Sequence, residues 1–196
     1  MPDNKIINAS SFILIGGFSR RFGSPKWKAE LNNIRLIDHM WNMCLDFENR
    51  YVIGKEEPEE VSYPFISDAL DIQTPLNGIY TALLNSKQEW NFIISCDLPL
   101  MNSHVIQLIW EMGDQTADAI VPRVKNYIQS TCAFYHKRAL AKIQSIVNQN
   151  EFRVNDILDT LNTSYILMDD CEEEFTNMNM VEDYIKIKNR TFNQQS

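Results

Sequence analysis

The 196-residue chain has a net charge of −8, with 44% hydrophobic and 22% charged residues. This length suits one α/β domain with a full hydrophobic core, so we predict a single domain over residues 1–196. The acidic balance argues against a nucleic-acid partner, because binding to the phosphate backbone needs positive charge.

Cysteine usage and the lack of long apolar runs indicate the cellular compartment of the protein. The four cysteines are widely spaced and form no C-x-x-C pair, which favours a reducing compartment and argues against a zinc site. The first ten residues lack the apolar stretch of a signal peptide, and no apolar run approaches the roughly 18–20 residues of a membrane helix. We therefore expect a cytoplasmic protein without a membrane partner.

Strand-like and helix-like segments alternate along the chain. We predict strands over residues 11–16, 51–53, 65–66, 90–96, 119–121, 131–135 and 165–168, and helices over 35–47, 76–84, about 102–112, 137–147, 154–161 and 181–188. Residues 1–10 are predicted to be a loose lead-in, and Pro122 is predicted to end its strand. The alternation predicts a three-layer α/β/α, Rossmann-like fold with a mostly parallel central sheet.

A glycine-rich basic loop follows the first predicted strand. The apolar run that ends at Leu14-Ile15 breaks at Gly16-Gly17, and Arg20, Arg21 and Lys26 follow. Taken singly, each cation fits an ordinary solvated surface. Three cations in one glycine loop favour phosphate binding, because glycines let the backbone approach an anion that the cations neutralise. Neither G-x-x-x-x-G-K-[ST] nor G-x-G-x-x-G is present, which disfavours a P-loop and a dinucleotide dehydrogenase.

Several polar or glycine positions directly follow predicted strands. In parallel sheets the carboxyl ends of the strands share one edge, where ligands bind. That rule groups Gly16, Gly17, Gly54, Asp68 and Asp97. Asp97 after the buried strand 90–96 suits a Mg²⁺ ion, which takes one or two carboxylates plus substrate phosphates. The same residue is equally compatible with capping the turn that follows.

The stretch from Leu14 to Lys26 resembles the L-A-G-G-x-S-x-R-M-G-x-x-K signature of nucleotidyltransferases that act on the molybdenum cofactor. Asp68 stands where that family has an acid after its third strand. Three more matches follow in order: Thr74-Pro75-Leu76-x-Gly78, Cys96-Asp97-Leu98-Pro99 and Phe175-x-Asn177-x-Asn179. Gly16-Gly17 resembles the guanylyltransferase branch, since the cytidylyltransferase branch more often has Ala-Gly.

The chain departs from the family pattern at a few positions. Ile15 replaces an alanine and adds bulk beside the nucleotide, and Gly54 stands where guanylyltransferases tend to have an asparagine that touches it. The other replacements are Phe22 for methionine, Thr74 for glycine and Met180-Val181 for Thr-Pro.

The resemblance implies a single nucleotidyltransferase domain that uses Mg²⁺ to transfer GMP from GTP to molybdopterin, releasing pyrophosphate. It implies catalytic roles for Arg21, Lys26 and Asp97, with Asp97 also the metal ligand. The nucleotide-binding residues it implies are Leu14, Ile15, Gly16, Gly17, Lys26, Gly54, Asp68 and Asp97. Asn177 and Asn179 would face the pterin, and Asn179 would also approach the metal.

Other functions remain open at this point. One is a related nucleotidyltransferase that uses CTP or acts on a sugar phosphate. Another is a non-catalytic nucleotide-binding relative. The resemblance also leaves room for transient contacts with proteins that deliver molybdopterin or with molybdoenzymes that receive the product.

Overall fold

The computed structural model describes residues 6–16, 23–149 and 153–193, with side chains through residue 189. The strands are β1 (Ile7–Leu14), β2 (Glu30–Leu31), β3 (Ile34–Arg35), β4 (Phe47–Gly54), β5 (Phe65–Ser67), β6 (Trp90–Ser95), β7 (Ala119–Val124), β8 (Tyr127–Ile128), β9 (Cys132–His136) and β10 (Thr163–Leu167). The helices are α1 (Leu36–Met43), α2 (Pro75–Asn85), α3 (Ser103–Met112), α4 (Leu140–Asn148), α5 (Val154–Thr160) and α6 (Val181–Asn193).

The described residues form an eight-stranded sheet in the order β10-β7-β9-β6-β1-β4-β5, with β8 paired to β7. The pairs of β1 with β4 and β6, of β4 with β5, and of β7 with β10 are parallel. Strand β9 runs antiparallel to both β6 and β7, and β8 runs antiparallel to β7. The prediction of a mostly parallel sheet is confirmed, and β9 is the reversed strand within it.

Helices cover both faces of the sheet, which confirms the three-layer α/β/α architecture. Alternate residues of β1 point to opposite faces, as the strand period requires. Ile7 and Ile13 join one core with α1, α3 and α6, and Phe12 and Leu14 join a second core with α2, α4 and α5. Within the described ranges, no helix has both the length and the apolar character needed to span a membrane.

Strand β1 begins earlier than predicted, so the expectation of a loose lead-in is wrong for residues 7–10. Ser10 and Ser11 are buried in the middle of the strand. Ser10 pairs with Asn49 of β4 and with Asn91 of β6. Polar residues such as Ser10 hide the start of the strand from a search for apolar runs, although β1 pairs with β4 on one side and β6 on the other.

Pro122 lies inside β7, so the prediction that it ends the strand is also wrong. The pairs of β7 with β9 stop at Ile120, and its pairs with β8 begin at Arg123. Pro122 sits in the gap between them, and its carbonyl accepts from the N–H of Gln129 at 2.9 Å. Proline has no N–H to donate, so it bonds on this side through its carbonyl only, and it is tolerated at the break between two partner strands.

Candidate active site

The predicted phosphate loop leaves the sheet between the ends of β4 and β6. The carbonyl of Leu14 accepts from the N–H of Cys96 at 3.0 Å, and the N–H of Ile15 donates to the carbonyl of Ile53 at 2.9 Å. These two bonds extend the parallel pairing one residue beyond β1. Gly16 therefore emerges at the carboxyl edge of the sheet, where the strand-end rule places a ligand.

Asp68 lies beside Gly16 on the β4–β5 side of this edge. Its N–H donates to the carbonyl of Gly54 at 2.9 Å, and a Cβ added to Gly16 would lie 3.7 Å from Asp68 Oδ2. Burial raises the pKa of the half-buried Asp68 carboxyl, and the positive charge of Lys55 opposes this rise. The carboxylate has lost part of its hydration, and N–H groups of a ligand can replace the lost water.

Ile15 and Gly54 fit together as a pair. A Cβ added to Gly54 would lie only 2.9 Å from Ile15 Cγ1 and 3.6 Å from Phe65 Cε2. The Ile15 side chain therefore occupies the space into which a side chain at position 54 would extend. The two departures from the family pattern on this side of the site compensate for each other in volume.

Helix α2 holds the loop that carries Asp68. The Asn77 amide donates to the carbonyls of Leu70 and Ile72 at 2.6 and 3.1 Å, and its Oδ1 accepts from the Leu70 N–H at 3.1 Å. Thr81 Oγ1, one turn further along the helix, accepts from the Ala69 N–H at 2.9 Å. Both side chains are buried, so these bonds are shielded from water and fix the chain just after Asp68.

The same helix also packs closely against β1. A Cβ added to Gly78 would lie 2.6 Å from Leu14 Cδ2, which is closer than any real contact allows. Gly78 therefore matters because it lets α2 approach the end of β1. Leu14 contributes its side chain to this packing and its backbone to the edge of the site.

Lys26, Asp97 and Asn179 come together on the β6 side of the edge. Lys26 Nζ donates to Asn179 Oδ1 at 2.9 Å and lies 3.8 Å from Asp97 Oδ2. The side chains of Lys26 and Asp97 are only 17% and 22% exposed. Residues from the loop, from the end of β6 and from the far end of the chain thus meet in one partly desolvated polar group.

Asp97 has one carboxylate oxygen that is buried and, among the described residues, receives no hydrogen bond. The backbone carbonyl of Asp97 accepts from the Met178 N–H at 2.8 Å, which joins the end of β6 to the segment before α6. A buried acceptor without a donor costs free energy, so a native protein keeps one mainly where a ligand or ion completes it.

Asn177 lies apart from Asn179. It is exposed and lines a cavity of about 440 Å³ together with residues of the β7–β8 hairpin and of the chain around Phe175. Phe175 and Met178 are buried, so the Phe175-x-Asn177-x-Asn179 segment is anchored by its apolar members and presents both asparagines outward.

Two of the predicted site residues, Gly17 and Arg21, lie outside the described residues. Arg20, the third cation of the loop, also lies outside them. The roles predicted for Gly17 and Arg21 therefore remain predictions.

Residues 11–163 match the family described as the MobA-like NTP transferase domain. The chain belongs to this family. Every described residue of the site up to Asp97 lies within the matched range, whereas Asn177 and Asn179 lie beyond it.

This MobA-like NTP transferase resembles named relatives along nearly its whole length. It is 28% identical over 181 residues to the molybdenum cofactor guanylyltransferase of Campylobacter jejuni (strain RM1221), covering 91% of this chain and 94% of the relative. It is 30% identical over 194 residues to a probable molybdenum cofactor guanylyltransferase of Bacillus velezensis, covering 89% and 92%. In fold it resembles molybdopterin-guanine dinucleotide biosynthesis protein A of Archaeoglobus fulgidus, with a TM-score of 0.82, 20% identity and coverage of 94% and 99%.

The site of this MobA-like NTP transferase fits a Mg²⁺ ion. The buried Asp97 oxygen offers an acceptor that no described donor uses. Among the described residues, no group of three or more acidic, histidine or cysteine side chains gathers into a ready-made metal site. A single carboxylate is nevertheless a usual protein contribution for Mg²⁺, because substrate phosphates and water supply the remaining ligands.

Sequence reasoning missed the residues that position the site from a distance. Asn77 stands at the variable position of the Thr74-Pro75-Leu76-x-Gly78 match, and its spacing from Thr81 placed two polar groups on one turn of α2. Asp183 is an acid three residues after Met180, which is the spacing of a helix capping box, and it accepts from the Asn179 and Met180 N–H groups. Both spacings were visible in the sequence, but the backbone groups that these side chains bind were not.

Proposed function

We propose that this protein transfers the GMP group of GTP to molybdopterin and releases pyrophosphate, forming the molybdopterin guanine dinucleotide cofactor. The strongest support is the arrangement of charged groups on the two sides of Gly16, at the carboxyl edge of the sheet. A half-buried carboxylate, Asp68, lies on one side, and the Lys26–Asp97–Asn179 group lies on the other. The names of the relatives from Campylobacter jejuni and Bacillus velezensis agree with this reaction.

In the proposed reaction, an oxygen of the molybdopterin phosphate attacks the α-phosphorus of GTP. A new phosphorus–oxygen bond forms, and the bond between the α-phosphorus and the oxygen that leads to the β-phosphate breaks. The electron pair leaves with pyrophosphate. Such a transfer depends mainly on in-line positioning and on stabilisation of the charge on the phosphate oxygens.

The role proposed for each residue follows from its position in the site. Lys26 places a positive charge near Asp97, where it can neutralise charge that develops on the α-phosphate and on the leaving pyrophosphate. Asp97 would hold Mg²⁺, which would supply further charge neutralisation when bound. Asp68 can accept hydrogen bonds from the N1–H and the N2 amino group of guanine, and Asn177 and Asn179 would face the pterin. We propose the same phosphate role as Lys26 for Arg21.

The buried, unpaired thiols agree with the proposed compartment. Cys44, Cys96 and Cys132 are free and buried. Thiols persist in a reducing environment, and we propose that the protein acts in the cytosol.

A nucleotide comparison tests the proposed function. Purified protein is incubated with molybdopterin, MgCl₂ and one of GTP, CTP, UTP or ATP, and pyrophosphate release is followed. We expect release with GTP only when molybdopterin is present, loss of release with EDTA and recovery when Mg²⁺ is restored. Release with CTP instead of GTP would identify a cytidylyltransferase. Release in a parallel reaction in which a sugar phosphate replaces molybdopterin would identify a different acceptor. GTP binding without release under any condition would identify a non-catalytic relative.

The Asp68→Asn variant tests whether Asp68 recognises the guanine base. The amide can accept only one of the two proposed bonds, so we expect kcat/KM for GTP to fall about 10- to 150-fold, the equivalent of about 1.5–3 kcal/mol for a bond to a charged group. Activity with CTP should change far less. The matched control is Asp71→Asn, an exposed acid in the same loop that pairs with Lys55. Equal losses with both nucleotides would remove Asp68 from base selection.

A further inference from the structure

The first turn of α6 is organised by the carboxylate of Asp183. Asp183 Oδ2 accepts from the N–H of Asn179 at 3.0 Å and from the N–H of Met180 at 2.9 Å. Met180 immediately precedes the helix, and its side chain has no group that can cap the free N–H groups. Asp183 supplies the acceptor instead, by reaching back from the third position of the helix.

These bonds hold the backbone at Asn179 on its C-terminal side. Contact with the end of β6 holds it on its N-terminal side. Met178, the preceding residue, is fully buried and donates its N–H to the carbonyl of Asp97 at 2.8 Å. Asn179 therefore extends from a backbone segment held at both of its ends. Its Oδ1 accepts from Lys26 Nζ at 2.9 Å, so this anchored backbone places the ammonium group.

A second contact joins α6 to the chain that carries Lys26. The hydroxyl of Tyr184 donates to the carbonyl of Glu30 at 2.8 Å. Glu30 lies four residues beyond Lys26, at the start of β2. The segment at the start of α6 is thus attached to the Lys26 segment twice. Asn179 bonds the Lys26 side chain, and Tyr184 bonds the Glu30 backbone.

Among the described residues, the polar partners of the Lys26 ammonium group are Asn179 Oδ1 and, at longer range, Asp97 Oδ2. The Lys26 side chain has several rotatable bonds, and holding it in one place carries an entropy cost. Its distance of 3.8 Å from Asp97 is longer than a hydrogen bond, whereas its contact with Asn179 is a hydrogen bond. Asn179 therefore sets the ammonium position, which leaves the Asp97 carboxylate available to a cation.

We propose that Asp183 is a positioning residue for nucleotidyl transfer, which acts through Asn179 to place Lys26. This inference rests on the proposed function of the same site. Asp183 touches neither substrate nor reacting atoms in this role. The N–H groups of Met180 and Asn179 lower the pKa of the Asp183 carboxyl, with smaller contributions from the charges of Lys186 and Lys26, so the acceptor is ionised at neutral pH.

If Asp183 were only a helix cap, its variants would give a different result. Loss of a helix cap lowers the melting temperature but leaves kcat unchanged in protein that remains folded. Misplacement of a group that acts on the transition state lowers kcat, and a displacement of about 1 Å can cost 10²-fold. The ratio of variant to wild-type kcat, measured well below the melting temperature, separates the two roles.

The experiment compares Asp183→Ala, Asp183→Glu and Glu182→Ala with the wild type, by steady-state kinetics with whichever nucleotide the wild type uses. We expect Asp183→Ala to lower kcat about 10- to 100-fold with KM for the nucleotide nearly unchanged. Asp183→Glu keeps an acceptor at the position where a capping box has glutamate, so it should recover most of kcat. Glu182→Ala removes an exposed acid from the same turn and should match the wild type.

A double variant tests the route through Asn179. If Asp183 acts through Asn179, Asp183→Ala/Asn179→Ala should be no slower than Asn179→Ala alone. Additive losses, an unchanged kcat in Asp183→Ala, or an equal loss in Glu182→Ala would each overturn the inference. If Asp183→Ala does not fold, Asp183→Ser offers a shorter, uncharged acceptor and should show a reduced kcat, whereas a lowered melting temperature together with a wild-type kcat in Asp183→Ser would overturn the inference. An inactive wild type would contradict the proposed function instead.

Discussion

We expect Asp97→Ala to abolish GMP transfer while leaving the protein at least as stable as the wild type. The loss of activity follows from removing the carboxylate proposed to hold Mg²⁺, and we expect kcat to fall by at least about 10²–10³-fold, as when a group that stabilises transition-state charge is removed. The stability follows from the buried Asp97 oxygen, which has no described hydrogen-bond donor and whose removal takes away a desolvation cost.

Two measurements check this pair of effects. Pyrophosphate release gives kcat, and thermal unfolding without nucleotide or Mg²⁺ gives the stability of the apo-protein. Asp159→Ala serves as the matched control, since it removes an exposed acid from α5 on the opposite face of the sheet. Full activity of Asp97→Ala would exclude the metal role. A large drop in its melting temperature would show that Asp97 is mainly a structural cap of the turn after β6, which is the alternative that the sequence left open.

The second large effect is expected for Lys26→Met. Methionine keeps an unbranched side chain of similar length but removes the positive charge beside Asp97. Because the charge is proposed to act on the transition state more than on bound GTP, we expect kcat to fall about 10²–10³-fold with little change in KM. Lys26→Arg should restore only part of the rate, because a planar guanidinium cannot reproduce the contact of a compact ammonium with Asn179.

Lys28→Met provides the matched control for Lys26. Lys28 lies in the same 3-10 turn, but its ammonium pairs with exposed Glu60 at 2.6 Å, away from Asp97. We expect nearly wild-type kinetics for Lys28→Met, because exposed ion pairs contribute little. If Lys26→Met raised KM and left kcat unchanged, Lys26 would bind substrate and transition state equally, and its proposed catalytic role would be wrong.

The fold could be predicted largely from the alternation of strands and helices, and its exceptions have physical causes. A short apolar segment such as Cys132–His136 carries no sign of its direction, so the reversal of β9 could not be predicted. Asn8 and Ser10 made the start of β1 resemble a polar lead-in, although the backbone pairs on both sides. Pro122 led to the wrong prediction that β7 ends there. The rule against proline in strands applies only where a neighbouring strand needs a backbone N–H at that position.

The site was predictable where it depends on strand ends and was not where it depends on distant contacts. Asp68 and Asp97 follow apolar strands, and the structure places both at the predicted edge. The hydrogen bond between Lys26 and Asn179 spans 153 positions, and no spacing rule anticipates it. Asn77 and Asp183 act on backbone groups whose positions only the folded chain defines.

The complementary volumes of Ile15 and Gly54 restrict the order in which these positions can change. A side chain at position 54 meets Ile15 Cγ1 at 2.9 Å, so the combination with both residues large is crowded. The combination with both residues small leaves a gap but no clash. A side chain introduced at position 54 would therefore require Ile15 to shift or to be replaced by a smaller residue.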